Sequence, residues 1–136
     1  MKKVIYLLPL LLLLVCGEKE EAVIEKTIGV GPVKSIDLPE KIDEKMAAEG
    51  KAIFEGKCIA CHQLDKKGVG PEMMGLTERR KPEWIMNMIL NPVEMTKQDP
   101  MGKKLLDEYK TQMTFQNLTQ GEARSLLEYF RQLDAK

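Results

Sequence analysis

Apolar residues fall into five blocks along this 136-residue chain. The first, Val4–Val15, is continuous, twelve residues long, preceded by Lys2 and Lys3 and interrupted only by Pro9. At about 1.5 Å per residue it makes roughly 18 Å of helix, short of a hydrocarbon core of about 30 Å. A positive start and a short apolar run read as an export signal over residues 1–15 rather than a membrane span. The other blocks have helical spacing. Met46, Ala47, Ile53 and Phe54 share one face of a helix over 43–57, with Gly50 inside it. Trp84, Ile85, Met88 and Ile89 follow Pro82, a proline placed to open a helix, and Asn91-Pro92 stops the run. Asp99-Pro100 caps a further helix carrying Met101, Leu105, Leu106 and Tyr109. Thr119 and Glu122 form a capping box ahead of Ala123, Leu126, Leu127, Phe130 and Leu133, with Tyr129 beside them. The pattern predicts an all-α domain of four to five helices over 43–136.

Residues 16–42 carry no long period. Charges open the stretch, and Gly29, Gly31, Pro32 and Pro39 break it up, so a flexible spacer is expected. Cys16 stands where the apolar run ends, and Leu13-Leu14-Val15-Cys16 resembles a bacterial lipoprotein lipobox, with Val15 in place of the usual small residue. That resemblance implies a lipidated Cys16 as the mature N-terminus, and several acyl chains would anchor it to a membrane. The alternative is plain secretion with a free thiol at Cys16.

The remaining cysteines stand two apart and are followed by the chain's only histidine: Cys58-Ile59-Ala60-Cys61-His62. C-x-x-C-H is the spacing of covalent haem attachment. Each thiol adds across one porphyrin vinyl group, and the adjoining histidine supplies an imidazole nitrogen to the iron. A redox disulfide would ordinarily lie near a βαβ pattern, and no strand-rich segment flanks the pair. Zinc asks for four ligands; the chain has three cysteines and one histidine, and Cys61 and His62 are adjacent.

Composition agrees with a cofactor-stapled domain. Hydrophobic residues make up 43% but aromatics only 5%, and a small domain with few large side chains gains from an apolar staple. Basic and acidic residues balance at 21 each, with no basic run or stripe, which argues against nucleic-acid binding.

The order of helix, C-x-x-C-H, Gly70-Pro71 loop, middle helices, methionine loop and capped last helix resembles the class I c-type cytochromes over residues 43–134. The resemblance implies the cytochrome c fold around one haem c held by Cys58 and Cys61. It implies that Gly50 and Phe54 pack on Leu126 and Tyr129. Pro71 would orient His62 through its carbonyl, and Trp84 would lie near the haem propionates. His62 being the sole histidine, a methionine is the natural sixth ligand. The family places its methionine in the loop before the last helix, here Met113, with Met101 the second candidate among nine methionines. Met113 is followed by Thr114 where the family's usual pair is Met-Pro.

The stretch Glu78–Leu133, including PEWIMNMILNPVEMTKQDPMGKKLLDEY and then QMTFQNLTQGEARSLLEYFRQL, also resembles small cytochromes found beside nitrous-oxide reductases in some bacteria. The expectation is a lipid-anchored, monomeric electron carrier on the periplasmic side of a bacterial membrane, breaking no substrate bond. It would serve redox protein partners, a nitrous-oxide reductase among them, with Lys66 and Lys67 near the partner surface. A small haem peroxidase or gas sensor with a vacant sixth site is the alternative. An interaction module with an accidental C-x-x-C-H is a third reading.

Overall fold

The computed structural model describes residues 27–135. Six helices account for the regular structure, and no strand occurs among the described residues. They are α1 Glu44–Lys57, α2 Leu76–Arg79, α3 Pro82–Leu90, α4 Pro92–Gln98, α5 Pro100–Tyr109 and α6 Gln120–Asp134. None is long and apolar enough to cross a membrane.

The helix ends follow the local chemistry. Asp43 caps α1 by accepting the Met46 N–H at 3.0 Å. Thr119 and Glu122 complete both halves of the capping box on α6. Proline occupies the first position of α3, α4 and α5 in turn. Single residues, Asn91 and Asp99, divide these three helices, each ending one and beginning the next. Proline disfavours the α conformation in the residue before it, so the chain bends there and restarts at once. Pro92 therefore opens α4 as well as ending α3, a helix that the apolar spacing alone did not predict.

The core forms where α1 crosses α6. Gly50 is buried against the α6 backbone, and an added Cβ would clash with the Ser125 carbonyl oxygen. Phe54 lies with its ring centroid 5.7 Å from Tyr129 and 6.0 Å, edge-on, from Phe130. Leu126 and Leu127 are each 1% exposed beside them. Burial of such side chains contributes on the order of 2 kcal/mol each. The pairing of Gly50 and Phe54 with Leu126 and Tyr129 is thus observed.

The expectation of a flexible spacer does not hold for residues 27–42. This segment is strapped to the domain, and Asn87, fully buried in α3, is the buckle. Its Oδ1 accepts the Val33 N–H at 2.9 Å, and its Nδ2 donates to the carbonyls of Ile28 at 2.9 Å and Val33 at 2.8 Å. Asn91 Nδ2 donates to the Val30 carbonyl, and Thr27 Oγ1 donates to Asp99. Gly29, at φ 74, and Gly31 leave room for Met95 and Asn87 beneath them. Further along, Arg131 donates to the carbonyls of Pro39 and Glu40 while pairing with buried Glu128. Buried backbone groups must find partners, and here side chains of distant helices supply them. The export signal, Cys16 and residues 16–26 of the expected spacer lie outside the described residues.

Candidate functional site

Between the C-x-x-C-H turn, α3, α5 and the loop before α6 lies an apolar cavity of about 330 Å³. Phe54, Ile85, Ile89, Leu105, Leu126 and Phe130 form much of its wall. Cys58, Cys61, His62, Pro71, Trp84 and Met113 all line it, so the fold gathers residues spread over more than fifty positions.

The turn grows directly out of α1. Cys58 N–H bonds back to the Phe54 carbonyl and closes the helix, and the His62 N–H bonds to the Cys58 carbonyl at 2.9 Å. Both thiols are free, Cys58 half-buried and Cys61 exposed. Burial pushes the Cys58 thiol up from its ordinary value, with Lys57 pulling it down and Cys61 adding a smaller upward push. In the free chain this group is therefore held as a thiol.

His62 is fixed from two sides. Its Nδ1 lies 3.0 Å from the Pro71 carbonyl, which can only accept, so Nδ1 carries the hydrogen and Nε2 is left with its lone pair. Gly70 lies against the ring: a Cβ there would sit 2.5 Å from Cε1 and 2.8 Å from Nδ1. The loop is itself closed by Gly70 N–H to the Cys61 carbonyl and Met73 N–H to the Gln63 carbonyl. Gly70→Ala is therefore expected to turn the imidazole and weaken its bond to Pro71. Overpacking of this kind costs about 1–3 kcal/mol. The expected outcome is a several-fold lower yield of covalent haem per mole of protein in a pyridine haemochrome assay, and a melting midpoint several degrees lower. Unchanged yield and midpoint would show that the loop yields without disturbing His62.

Three methionines line the cavity: Met73, Met88 and Met113. Met73 belongs to the histidine's own loop, and Met88 sits in α3. Met113 hangs from the loop between α5 and α6, half-buried, with left-handed Lys110 and Asn117 (φ 52 each) bending the chain on either side of it. Met101, the second candidate, is 4% exposed and is not part of the lining. Its sulfur accepts from Arg80 Nη2 at 3.1 Å.

Trp84 is buried in the cavity wall, but its indole N–H is already committed to Asp99 Oδ1 at 3.0 Å. Asp99, 3% exposed, also accepts from Thr27 Oγ1 at 2.9 Å and the Gly102 N–H at 2.9 Å. Trp84 lines the cavity, while its one donor faces the protein rather than the cavity. The Arg80 guanidinium lies over the indole ring, 5.5 Å from its centroid. Lys67 pairs with Glu108 at 2.5 Å and lies 5.7 Å from the Tyr109 ring centroid; Lys66 is exposed. Thr96 also lines the cavity, while buried Asn87 and Asp99 stand behind it, Asn87 on the 28–33 strap and Asp99 on the Trp84 indole; apolar spacing alone predicts none of the three roles. A polar residue inside the apolar run Trp84–Leu90 was the signal for Asn87.

The residues suit a flat, largely apolar iron porphyrin. Two thiols and a tautomer-fixed imidazole stand at one side of the cavity. The walls are aliphatic and aromatic, and a glycine keeps clear the face of the imidazole. Among the described residues no group of three or more His, Cys, Asp or Glu side chains could hold a bare metal ion instead.

The cytochrome c family model matches residues 47–134. The chain is 43% identical to the solved cytochrome c from Rhodothermus marinus, with a TM-score of 0.76 over 85% of this chain and 97% of that one. An engineered cytochrome c from Rhodothermus marinus, solved bound to a carbene intermediate, is 41% identical with a TM-score of 0.74, over 85% of this chain and 98% of that one. A cytochrome c-553-like protein of Synechocystis is 33% identical over 46 residues, 33% of this chain and 44% of that protein. The match thus spans less than half the length of that relative.

Proposed function

We propose that this chain, which belongs to the cytochrome c family and so carries covalent haem c as a single-haem electron carrier, delivers electrons to a periplasmic reductase. The haem supplies a one-electron change between ferric and ferrous iron. Cys58 and Cys61 would form the thioether links, His62 would offer Nε2 to the iron, and Met113 would offer its sulfur from the loop before α6. The observation that carries this reading is the His62–Pro71 hydrogen bond at 3.0 Å, which leaves Nε2 as the available ligand atom. The apolar wall excludes water and so restrains the charge change at the iron from reorganising solvent. No side chain is needed as an acid, base or nucleophile, which suits a carrier rather than an enzyme.

The finer reading is a nitrous-oxide reductase as acceptor, supported by the likeness of Glu78–Leu133 to cytochromes found beside such enzymes. Export through residues 1–15 and lipidation at Cys16 would put the carrier on the periplasmic face of a membrane. The carrier is expected to act as a monomer.

The test is an optical spectrum of the exported protein, oxidised and reduced, with a redox titration and a pyridine haemochrome assay. A c-type haemochrome and a reversible one-electron wave are expected. In the oxidised form, a methionine-to-iron band near 695 nm, on the order of that wavelength for methionine-ligated haem, is also expected. Covalent haem without that band would favour the sensor or peroxidase reading. Absence of haem in a maturation-competent strain would overturn both. For the acceptor, reduced protein mixed with nitrous-oxide reductase and nitrous oxide, without air, should reoxidise faster than with the reductase omitted; equal rates would remove that partner.

A further inference from the structure

Met113 is followed by Thr114, so the loop that carries it lacks the stiffness a proline would give. Its neighbours Thr111, Gln112, Thr114 and Phe115 are all exposed, and packing does little to hold it. One buried contact does reach it. Thr96 in α4 is 7% exposed, and its Oγ1 lies 2.7 Å from Gln112 Oε1. The other end of the same amide, Gln112 Nε2, donates to the Met113 carbonyl at 3.1 Å.

The hydrogen inventory settles the direction of this chain of bonds. The Met113 carbonyl can only accept, so the amide must turn its NH₂ toward it and its oxygen toward Thr96. A threonine hydroxyl has one hydrogen. The Pro92 and Val93 carbonyls of α4 both lie 3.0 Å from Thr96 Oγ1, farther than Gln112 Oε1. The shortest contact takes the hydrogen, and it leaves the helix for the loop. A second tie to the loop, Lys57 Nζ to the Gln116 carbonyl at 3.4 Å, is longer and exposed.

We propose that Thr96 and Gln112 form a clip that positions Met113 as the sixth ligand, taking the part a proline plays in a Met-Pro loop. The proposal rests on the reading of Met113 as that ligand. Thr96 and Gln112 act through Met113 and are positioning residues. Loosening the clip should make the methionine easier to displace without removing it.

The experiment uses the oxidised holoprotein and titrates it with imidazole, a competing ligand for the sixth position, while following the methionine-to-iron band. Thr96→Val keeps the shape of the side chain and removes the hydroxyl; Thr96→Ser keeps the hydroxyl. Gln112→Leu removes both ends of the clip at an exposed position, where folding is little affected. Thr96→Val and Gln112→Leu should each bind imidazole about three- to ten-fold more tightly, the scale of one lost hydrogen bond. Thr96→Ser should match the parent protein, and the double variant should bind imidazole no more tightly than the tighter single one, since both cut the same chain. Unchanged imidazole binding in Gln112→Leu would overturn the clip while leaving Met113 as ligand, provided Met113→Ala removes the band. A band that survives Met113→Ala would instead overturn the ligand assignment, and the clip with it.

Discussion

Gly50→Ala is expected to lower stability by about 3 kcal/mol, at the upper end of the overpacking range, or to prevent folding of the holoprotein. An added Cβ would overlap the Ser125 carbonyl oxygen and lie 2.5 Å from its carbonyl carbon and 2.9 Å from the Leu126 nitrogen. These are backbone atoms of α6 and cannot swing aside as a flexible side chain can. The two helices must separate, which also lifts Phe54 from Tyr129 and Phe130. Alanine's better helix propensity returns about 1 kcal/mol, too little to offset the loss. Gly56, six residues along the same helix, is the internal control: an added Cβ there meets nothing within 4 Å. Gly56→Ala should stabilise the protein by about 0.5–1 kcal/mol through propensity alone. Denaturant unfolding followed by far-ultraviolet circular dichroism measures both. Equal midpoints for the two variants would show that the helix crossing is looser than the geometry states.

Met113→Ala should leave the protein folded and change its redox behaviour. The side chain is only half-buried, so its packing contribution is small beside that of core methionines such as Met95. A thioether favours ferrous over ferric iron, and its loss lowers the reduction potential. The expected fall is on the order of 100 mV or more, within the roughly 0.8 V that axial ligation spans. The near-infrared-edge band should vanish at the same time. Met101→Ala should behave in the opposite way. Met101 is buried with its sulfur against Arg80, so truncation should cost about 2–4 kcal/mol and leave the band in place. A potential that does not move in Met113→Ala would point to a sixth position already open, as a gas sensor or peroxidase requires.

Pro71, Gly70 and His62 explain how a short stretch of sequence can specify one side of a redox site. The five residues from Cys58 to His62 form a single turn continuous with α1, and the Pro71 carbonyl comes back to Nδ1 nine positions later. Such short-range closures depend on local conformation, which Pro71 restricts at its own φ, and on the room that Gly70 leaves for the imidazole by having no Cβ. The opposite side is different. Met113 is presented by a loop with two left-handed residues and few internal bonds, and its placement depends on α4 through Thr96 and Gln112.

The sequence by itself determined the α-helical class, the positions of four helices, the Asp99 cap and the Thr119–Glu122 capping box, and the C-x-x-C-H turn. Each of these is written in residues within one or two turns of one another, where backbone preference and side-chain capping act directly. The likeness to a family added the Gly50–α6 crossing and the Pro71 carbonyl, which the geometry then displayed. Tertiary structure alone decided that residues 27–42 are strapped down, that Trp84 gives its N–H to Asp99, and that Pro92 begins a helix. It also decided that Asn87 serves the strap and Thr96 the methionine loop. Asn87 meets Val33 across 54 positions and Thr96 meets Gln112 across 16. A polar side chain in an apolar stretch announces that it needs a partner, but the partner is chosen by which distant backbone the packed core brings within 3 Å, and no periodicity along the chain encodes that.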